Sequence, residues 1–432
     1  MKSNPKYSLF SLLLSMLIML WAASNFHWGK DNWRGILEAD AKGYYAYLPA
    51  VFIYHDLNFG FFEAIEEKYS ANHLLVDYRV NLNEGSINKY YAGTAILQSP
   101  FFMLGHIATQ LCGEDEDGYS KWYMILVSLA SLFYLFIGLY YLRKSLLMIH
   151  LPDKWIALLI PAFLFGSNLF VYTVVETGMS HVYSFALMSI WLHLLLQFKA
   201  DNRLSRLFWL AGLSGLIVLI RPINILVLAV LPFVAGSWGT VKDFIDPLLQ
   251  KPLRLLGAGL LFLVFPFLQL LIYKLSTDSW WVYSYSEEGF DFANPHFIEI
   301  LFSYKKGLFL YTPIYLFSFI GLFVFWKNDR FRLWAWLFFF GLITYVFSSW
   351  WMWYYGGSFS SRVYVEYLPF FVLLMAFGIR ELKSKWKKQG FALLLFLTVV
   401  LCQIQTYQYR YYIIHYSEMT KERYWDNFLK LP

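Results

Sequence analysis

The first side chains that could do chemistry are two carboxylates, Glu38 and Asp40, which follow the first hydrophobic segment of the chain. A carboxylate partly buried among aromatic side chains has a raised pKa, which suits a general base that deprotonates a hydroxyl group. An Asp at this position can instead cap a helix that begins at Ala41. The sequence therefore predicts a base or a helix cap at Asp40, and Glu38 is the alternative carboxylate for the catalytic role.

Three basic residues near the ends of apolar segments are candidates for binding an anion. Arg221 precedes Pro222, Arg362 ends an aromatic and glycine-rich stretch over residues 350–362, and Lys306 precedes an apolar run. A guanidinium group can bind phosphate through two parallel hydrogen bonds. A lone cation at the membrane edge suggests an anionic partner such as a lipid phosphate. Snorkelling towards lipid headgroups is the alternative for Arg221.

Further polar and aromatic residues could hold a sugar or an acceptor molecule. Trp and Tyr rings offer flat faces to a sugar ring, and glycine lets the backbone approach a ligand closely. Glu176 and His181 stand between two apolar segments. There they could hold a sugar, bind a divalent cation or form only a polar turn. The candidates for sugar or acceptor binding are Tyr44, Tyr45, Glu176, His181, Trp353 and Gly357.

The chain lacks the motifs of several common enzyme classes. It has no glycine-rich nucleotide loop, no His-Glu-x-x-His and no Gly-x-Ser-x-Gly, so nucleotide hydrolysis, zinc proteolysis and serine hydrolysis have no motif support. The two cysteines, Cys112 and Cys402, make neither a disulfide framework nor a cysteine-based metal site. No cofactor is required by these residues, and a divalent cation at Glu176 and His181 stays an option.

The elements that position these residues are predicted to be membrane helices. The 432 residues are 59% hydrophobic and only 15% charged, whereas a soluble domain has nearer a quarter charged residues. A helix needs roughly 20 apolar residues to cross the hydrocarbon core. We predict an all-α polytopic protein, a single integral membrane domain over residues 1–432, with about eleven spans. They lie near 8–24, 122–142, 155–175, 181–198, 207–220, 223–238, 256–275, 307–326, 331–350, 363–380 and 390–409.

Basic residues of the short loops predict the orientation, because they favour the cytoplasmic side. With a cytoplasmic N-terminus, the Lys and Arg clusters near residues 143, 203, 254, 330 and 385 all fall on that side. No nucleic acid partner is needed to explain the net charge of +6. The large extracytoplasmic pieces are then a first loop of 25–121, a second loop of 276–306 and a tail of 410–432.

The first loop is predicted to hold interfacial helices at 39–54 and 91–111, packed against the bundle. Residues 91–111 are apolar enough to suggest a span. As a span they would move the acidic stretch 114–117 inside and the basic residues near 143 outside, so we favour the interfacial placement.

With these residues in place, the chain resembles the GT-C superfamily of polytopic glycosyltransferases over nearly its whole length. It is similar in layout to bacterial aminoarabinose transferases and protein O-mannosyltransferases. The resemblance is carried by an acid soon after the first span, a large first loop, and about eleven spans. The local patterns are Asp40 with 43–48, residues 179–181, Arg221-Pro222, 307–309 with 312–313, and 353–362.

The resemblance implies a function and roles for the residues. The expected reaction moves a sugar from a polyprenyl-phosphate donor to an acceptor hydroxyl of a lipid, glycan or protein at the outer face of the membrane. It implies Asp40, or Glu38, as the catalytic base, and Arg221, Arg362 and Lys306 as ligands of the donor phosphate. A single displacement would invert the anomeric carbon. The expected location is the bacterial inner membrane, with the active site and the C-terminus in the periplasm.

Two other functions share part of this pattern. A transporter or flippase for a lipid-linked glycan should place ionisable groups at mid-membrane and show paired repeats. A lipid-phosphate or O-antigen ligase-type enzyme would share the cations without needing the first-loop acid. The charges cluster at one predicted surface and no repeat is visible, so glycosyl transfer is the favoured hypothesis.

Overall fold

The computed structural model describes residues 5–69 and 77–431, and these residues are mostly helical. The prediction of an all-α protein is thereby confirmed in its coarse form. The helices are α1 Lys6–Ala23, α2 Asp40–Phe52, α3 Phe62–Tyr69, α4 Gly93–Cys112, α5 Lys121–Met148, α6 Asp153–Gly166, α7 Ser180–Asp201, α8 Leu204–Ile220, α9 Leu231–Ala235, α10 Trp238–Leu249, α11 Pro252–Thr277, α12 Phe297–Phe302, α13 Leu308–Tyr311, α14 Ile314–Phe317, α15 Ile320–Asn328, α16 Arg330–Ser348, α17 Leu368–Arg380, α18 Lys385–Arg410 and α19 Lys421–Asn427.

Short irregular elements link these helices. Tight 3-10 turns cover Asn32–Gly35, Pro222–Val230 and Arg362–Tyr364, and wider π turns cover Ser24–Trp28 and Val171–Val175. One antiparallel hairpin pairs strand β1, Arg79–Leu82, with strand β2, Gly85–Asn88. Residues 70–76 of the predicted first loop lie outside the described residues.

Six helical segments of the described chain are long and apolar enough to cross a membrane, which is fewer than the eleven predicted spans. They are Lys6–Trp28, Lys121–Met148, Ser180–Asp201, Pro252–Thr277, Arg330–Ser348 and Lys385–Arg410. Four shorter apolar segments lie at other predicted spans, at Leu204–Ile220, Pro222–Ala235, Ile314–Asn328 and Leu368–Arg380. The count of eleven spans is therefore not confirmed.

The predicted spans at 155–175 and 307–326 are broken in the structure. The first is α6, which ends at Gly166, followed by extended backbone at Ser167 and the π turn that ends at Val175. The second is divided into α13, α14 and α15 around Pro313. Proline lacks the N–H that continues a helix, which accounts for the second break. Both breaks leave backbone and polar side chains free to take part in tertiary contacts.

Both helices predicted in the first loop are present. Helix α2 begins one residue after the predicted start at 39, and α4 covers the predicted 91–111 with small shifts at each end. Helix α4 packs against α5 and α2 and is not among the six segments that satisfy the spanning criteria. Its interfacial placement stays a prediction.

The core lies where α5, α7 and α17 meet. Side chains of α17 and α7 are buried almost throughout, whereas α1, α11 and α18 leave long rows of Leu, Phe and Trp exposed. Exposed apolar surface of this extent would be unfavourable in water and is expected of a lipid-facing helix. The chain therefore has the surface of an integral membrane protein.

Candidate functional site

A tight turn places Asp40 at the start of α2. The turn covers residues 38–41 and is closed by a 3.1 Å hydrogen bond from the Ala41 N–H to the Glu38 carbonyl. Ala39 occupies its second position with φ 49° and ψ −127°, the conformation of a type II′ turn that normally requires glycine. The turn leads directly into α2, whose first residue is Asp40.

Replacing Ala39 with Gly is expected to stabilise the protein by about 1 kcal/mol, because glycine adopts this conformation without a Cβ clash. The measurement is the free energy of unfolding in mixed micelles. Ala92→Gly is the control, since Ala92 has an ordinary φ of −74° and is buried. It should lower stability, and a loss of stability in both variants would contradict the proposed strain at Ala39.

Asp40 forms an ion pair with Arg362. The Arg362 Nη2 atom donates to Asp40 Oδ2 at 2.7 Å, and the Tyr90 hydroxyl donates to Oδ1 at 2.8 Å. The Tyr90 ring also packs against Tyr44, with ring centroids 4.8 Å apart. The predicted base and one of the predicted phosphate ligands are thus in direct contact, 322 residues apart in sequence.

The pKa of Asp40 is lower than its usual value, so the expectation of a raised pKa was wrong for this resting arrangement. Burial alone would raise it, but the Arg362 guanidinium and the Tyr90 hydroxyl together stabilise the carboxylate more strongly.

The cap interpretation also fails. Helix α2 has Ala39 as its N-cap residue without a side-chain cap, and the Asp40 oxygens face Arg362 and Tyr90.

Two glycines allow the start of α4 to approach the site. A Cβ on Gly43 would lie 2.2 Å from the Tyr90 ring, so only glycine leaves room for Tyr90 beside α2. A Cβ on Gly93 would lie 2.4 Å from the Ile220 nitrogen. The beginning of α4 therefore holds Tyr90 next to Asp40 and contacts the end of α8, where Arg221 follows.

Arg221 belongs to a second ion pair. Its backbone is extended, as expected of a residue before proline, and it separates α8 from the following 3-10 turn. Its Nη1 atom donates to Glu366 Oε1 at 2.9 Å, and His181 Nδ1 lies 3.1 Å from the same oxygen. Glu366 is fully buried. The Arg221 guanidinium and the His181 ring thus share one oxygen of a buried carboxylate.

Glu176 and Lys306 lie in a third polar group. The Tyr409 hydroxyl donates to Glu176 Oε1 at 2.6 Å. The Lys306 ammonium contacts the carbonyl oxygens of Ser358 and Tyr416 and lies 5.8 Å from the Tyr409 ring centroid. Burial raises the pKa of Glu176. Burial also lowers the pKa of Lys306 to about 7. The Lys306 charge partly offsets the shift at Glu176, and the Glu176 charge partly offsets the shift at Lys306.

The stretch over residues 350–362 is anchored on both sides. The Ser361 hydroxyl contacts the carbonyl oxygens of Ile300 and Lys306, at 2.8 and 3.0 Å. The Asn168 amide, in the break after α6, donates to the Ser361 carbonyl at 3.3 Å. These bonds connect Arg362 to the region of Lys306 and to the end of α6.

The three groups form one electrostatic network. Arg221 acts on Asp40 as well as on Glu366, and Arg362 acts on Glu176 and His181 as well as on Asp40. The predicted residues Asp40, Arg221, Arg362, Lys306, Glu176, His181 and Tyr44 are therefore neighbours in the fold. Their charges nearly balance, since each arginine is paired with one carboxylate.

Four predicted residues lie outside this network. Glu38 is exposed, and its backbone closes the turn before Asp40. Tyr45 points to the other side of α2, where its hydroxyl contacts the Gly118 carbonyl. Trp353 stacks on His296 with ring centroids 5.7 Å apart. A Cβ on Gly357 would lie 3.2 Å from the Tyr416 ring, so this glycine faces the tail.

Glu176 and His181, the candidate metal ligands, have different partners, Tyr409 and Glu366. Within residues 5–69 and 77–431, no three His, Cys, Asp or Glu side chains are grouped so as to hold a metal ion. The divalent cation stays a prediction that these contacts do not support.

Sequence reasoning missed Glu366, Tyr90 and Tyr409. Glu366 had a detectable signal: it is an acid four residues after Arg362, at the entrance of an apolar segment where a carboxylate is costly unless paired. Tyr90 and Tyr409 had none, because the chain contains 33 tyrosines and nothing in their local sequence marks these two.

No protein-family model, no curated protein and no solved structure matches the chain.

Proposed function

We propose that the protein is a membrane glycosyltransferase of the GT-C type, which moves a sugar from a polyprenyl-phosphate donor to an acceptor hydroxyl. The observation that carries the proposal is the contact between a first-loop carboxylate, Asp40, and Arg362, with Arg221 and Lys306 in the same network. A base for the acceptor and cations for the leaving phosphate are the two requirements of this transfer.

The reaction is a single displacement. The acceptor oxygen attacks the anomeric carbon and its proton passes to Asp40. The bond from that carbon to the phosphate oxygen breaks, its electron pair stays on the oxygen, and polyprenyl phosphate leaves with the added negative charge. Arg362, Arg221 and protonated Lys306 stabilise this charge in a site of low polarity, where such stabilisation is most effective. Attack from the opposite face inverts the anomeric carbon.

The proposal includes a location. The site lies on the periplasmic side of the bacterial inner membrane, with the N-terminus in the cytoplasm and the C-terminal tail near the site. Eleven membrane crossings would then count the broken and short helices together with the six long ones. The contact between Lys306 and Tyr416 supports a tail on the same side as the second loop.

The test is transfer by the purified protein in detergent. Polyprenyl monophosphate sugars with different head groups are incubated with glycolipid, glycan and peptide acceptors, and release of polyprenyl phosphate is followed by chromatography. We expect transfer from at least one lipid-linked donor and none from nucleotide sugars, with an inverted anomeric centre in the product. Transfer that retains the anomeric configuration would contradict the mechanism, and no release from any donor would contradict the proposal.

Binding of polyprenyl phosphate should depend on pH through Lys306. Its pKa of about 7 means that the side chain is charged below neutrality and loses its charge as the pH rises through 7. Affinity should therefore fall several-fold between about pH 6 and about pH 8.5, because one of three cations is lost. Lys306→Arg, which stays charged, should abolish this fall.

The control for this experiment is Lys305→Arg, because Lys305 lies over the Tyr354 ring instead of in the buried network. Both variants also correct for titration of the ligand's own phosphate, whose second pKa is near 6. The same decline in affinity in wild type and in Lys306→Arg would show that another group titrates.

A further inference from the structure

Arg362 and Arg221 are held by carboxylates in different ways. The Asp40 and Arg362 side chains are 22% and 12% exposed, and Asp40 has Tyr90 as its second partner. The Glu366 side chain is fully buried, and one of its oxygens is shared by Arg221 and His181. Solvent can therefore reach the first pair at its carboxylate, whereas the carboxylate of the second pair is enclosed.

Arg362 also has an N–H group that donates no hydrogen bond within the described residues. Its Nη2 atom donates to Asp40, while its buried Nε atom has no hydrogen-bond partner among the described residues. A buried guanidinium N–H without an acceptor is unfavourable, and it is satisfied when an acceptor oxygen arrives. The guanidinium geometry suits two oxygens of one phosphate.

We propose that Arg362 exchanges partners. In the resting protein Arg362 is paired with Asp40; the phosphate of an incoming donor then binds Arg362 and displaces the Asp40 carboxylate. This inference rests on the proposed function and adds an order of events to it. Because each arginine is already neutralised by one carboxylate, a phosphate placed beside Arg362 meets the negative charge of Asp40 unless that side chain moves away.

The exchange has a consequence for the base. Asp40 bonded to Arg362 is a weak proton acceptor, since the guanidinium stabilises its charged form. Once the donor phosphate occupies Arg362, the carboxylate loses that partner and becomes a stronger base. The acceptor is then activated only when the donor is in place, which prevents deprotonation without transfer.

The experiment compares the affinity of wild type, Asp40→Asn and Glu366→Gln for a polyprenyl monophosphate without sugar, measured by tryptophan fluorescence in detergent. Asp40→Asn should bind on the order of five- to tenfold more tightly, since the competing carboxylate is gone. Asp31→Asn, which changes an exposed acid outside the network, is the control and should bind as wild type does. Glu366→Gln should gain less affinity than Asp40→Asn, because its carboxylate is enclosed and its pair does not exchange.

Two further arms identify the source of the effect. In an Arg362→Gln background, Asp40→Asn should no longer tighten binding, and an equal gain there would assign the effect to simple repulsion and overturn the exchange. Inorganic phosphate is the second probe. If Asp40→Asn binds both inorganic phosphate and polyprenyl phosphate more tightly, the exchange takes place with phosphate in general. If only polyprenyl phosphate binds more tightly, the exchange is specific to the lipid-linked phosphate.

The outcomes separate the exchange from the transfer reaction. Tighter binding by Asp40→Asn without glycosyl transfer by wild type would support the exchange and refute the proposed function. Transfer by wild type with no gain in affinity in Asp40→Asn would refute the exchange alone. If Asp40→Asn is not monodisperse in detergent, Asp40→Ser serves as the second variant, and an absence of any gain in it overturns the exchange.

Discussion

Replacing Asp40 with Asn is expected to lower the turnover number for glycosyl transfer by roughly a thousandfold, within the range that general base catalysis contributes. The amide keeps the size of the side chain and can still contact Arg362 and Tyr90, but it cannot accept the proton of the acceptor. Turnover is measured with saturating donor and acceptor on protein that elutes as a single species in detergent.

The matched control is Asp31→Asn, an exposed acid earlier in the same loop, which should retain full turnover. Because the exchange at Arg362 predicts tighter donor binding by Asp40→Asn, the loss should lie in the turnover number while the KM for the donor does not rise. Full turnover in Asp40→Asn would refute the role of Asp40 as the base. A raised donor KM with normal turnover would assign Asp40 to donor binding.

Replacing Glu366 with Ala is expected to destabilise the protein by about 3–5 kcal/mol, because it leaves a guanidinium and an imidazole without their buried partner. Glu366 joins α7, the end of α8 and the turn before α17 through His181 and Arg221. The measurement is the free energy of unfolding in mixed micelles. Glu366→Gln, which retains an acceptor oxygen, should lose less.

The control for Glu366 is Glu288→Ala in the ion pair with Lys89. Those side chains are 28% and 25% exposed, and a pair open to solvent contributes about 0–1 kcal/mol. Equal losses in the two variants would mean that burial does not determine the strength of the Glu366 contacts. A stable Glu366→Ala protein would contradict the view that this carboxylate holds the helix ends together.

The helices of the first loop were predictable because their patterns are local. Helix α2 is marked by a run of tyrosines and alanines after an acid, and α4 by a long apolar stretch. The interruptions at Ser167 and Pro313 were not predicted, because hydropathy registers an apolar segment whether or not its backbone is continuous. The count of spans differed partly for this reason and partly because other apolar segments, such as α8 and α17, form continuous helices that are short.

The candidate site was partly predictable, because charged residues are rare in an apolar chain and each is therefore conspicuous. Asp40, Arg221, Lys306 and Arg362 were identified in this way. Their pairing was not, because Asp40 and Arg362 are 322 residues apart and no local pattern records which carboxylate faces which guanidinium. The lowered pKa of Asp40 is a result of that pairing, after burial is taken into account, and could not be deduced from its neighbours in sequence.

The sequence by itself therefore determined that this is a helical membrane protein with a small set of ionisable residues at the ends of its apolar segments. Hydropathy and the scarcity of charge are properties of composition, so they need no knowledge of tertiary contacts. Only the tertiary structure decided that Arg362 is paired with the accessible Asp40 and Arg221 with the enclosed Glu366. The physical reason is that burial and charge pairing depend on which helix ends meet in space, and those contacts join residues from opposite ends of the chain.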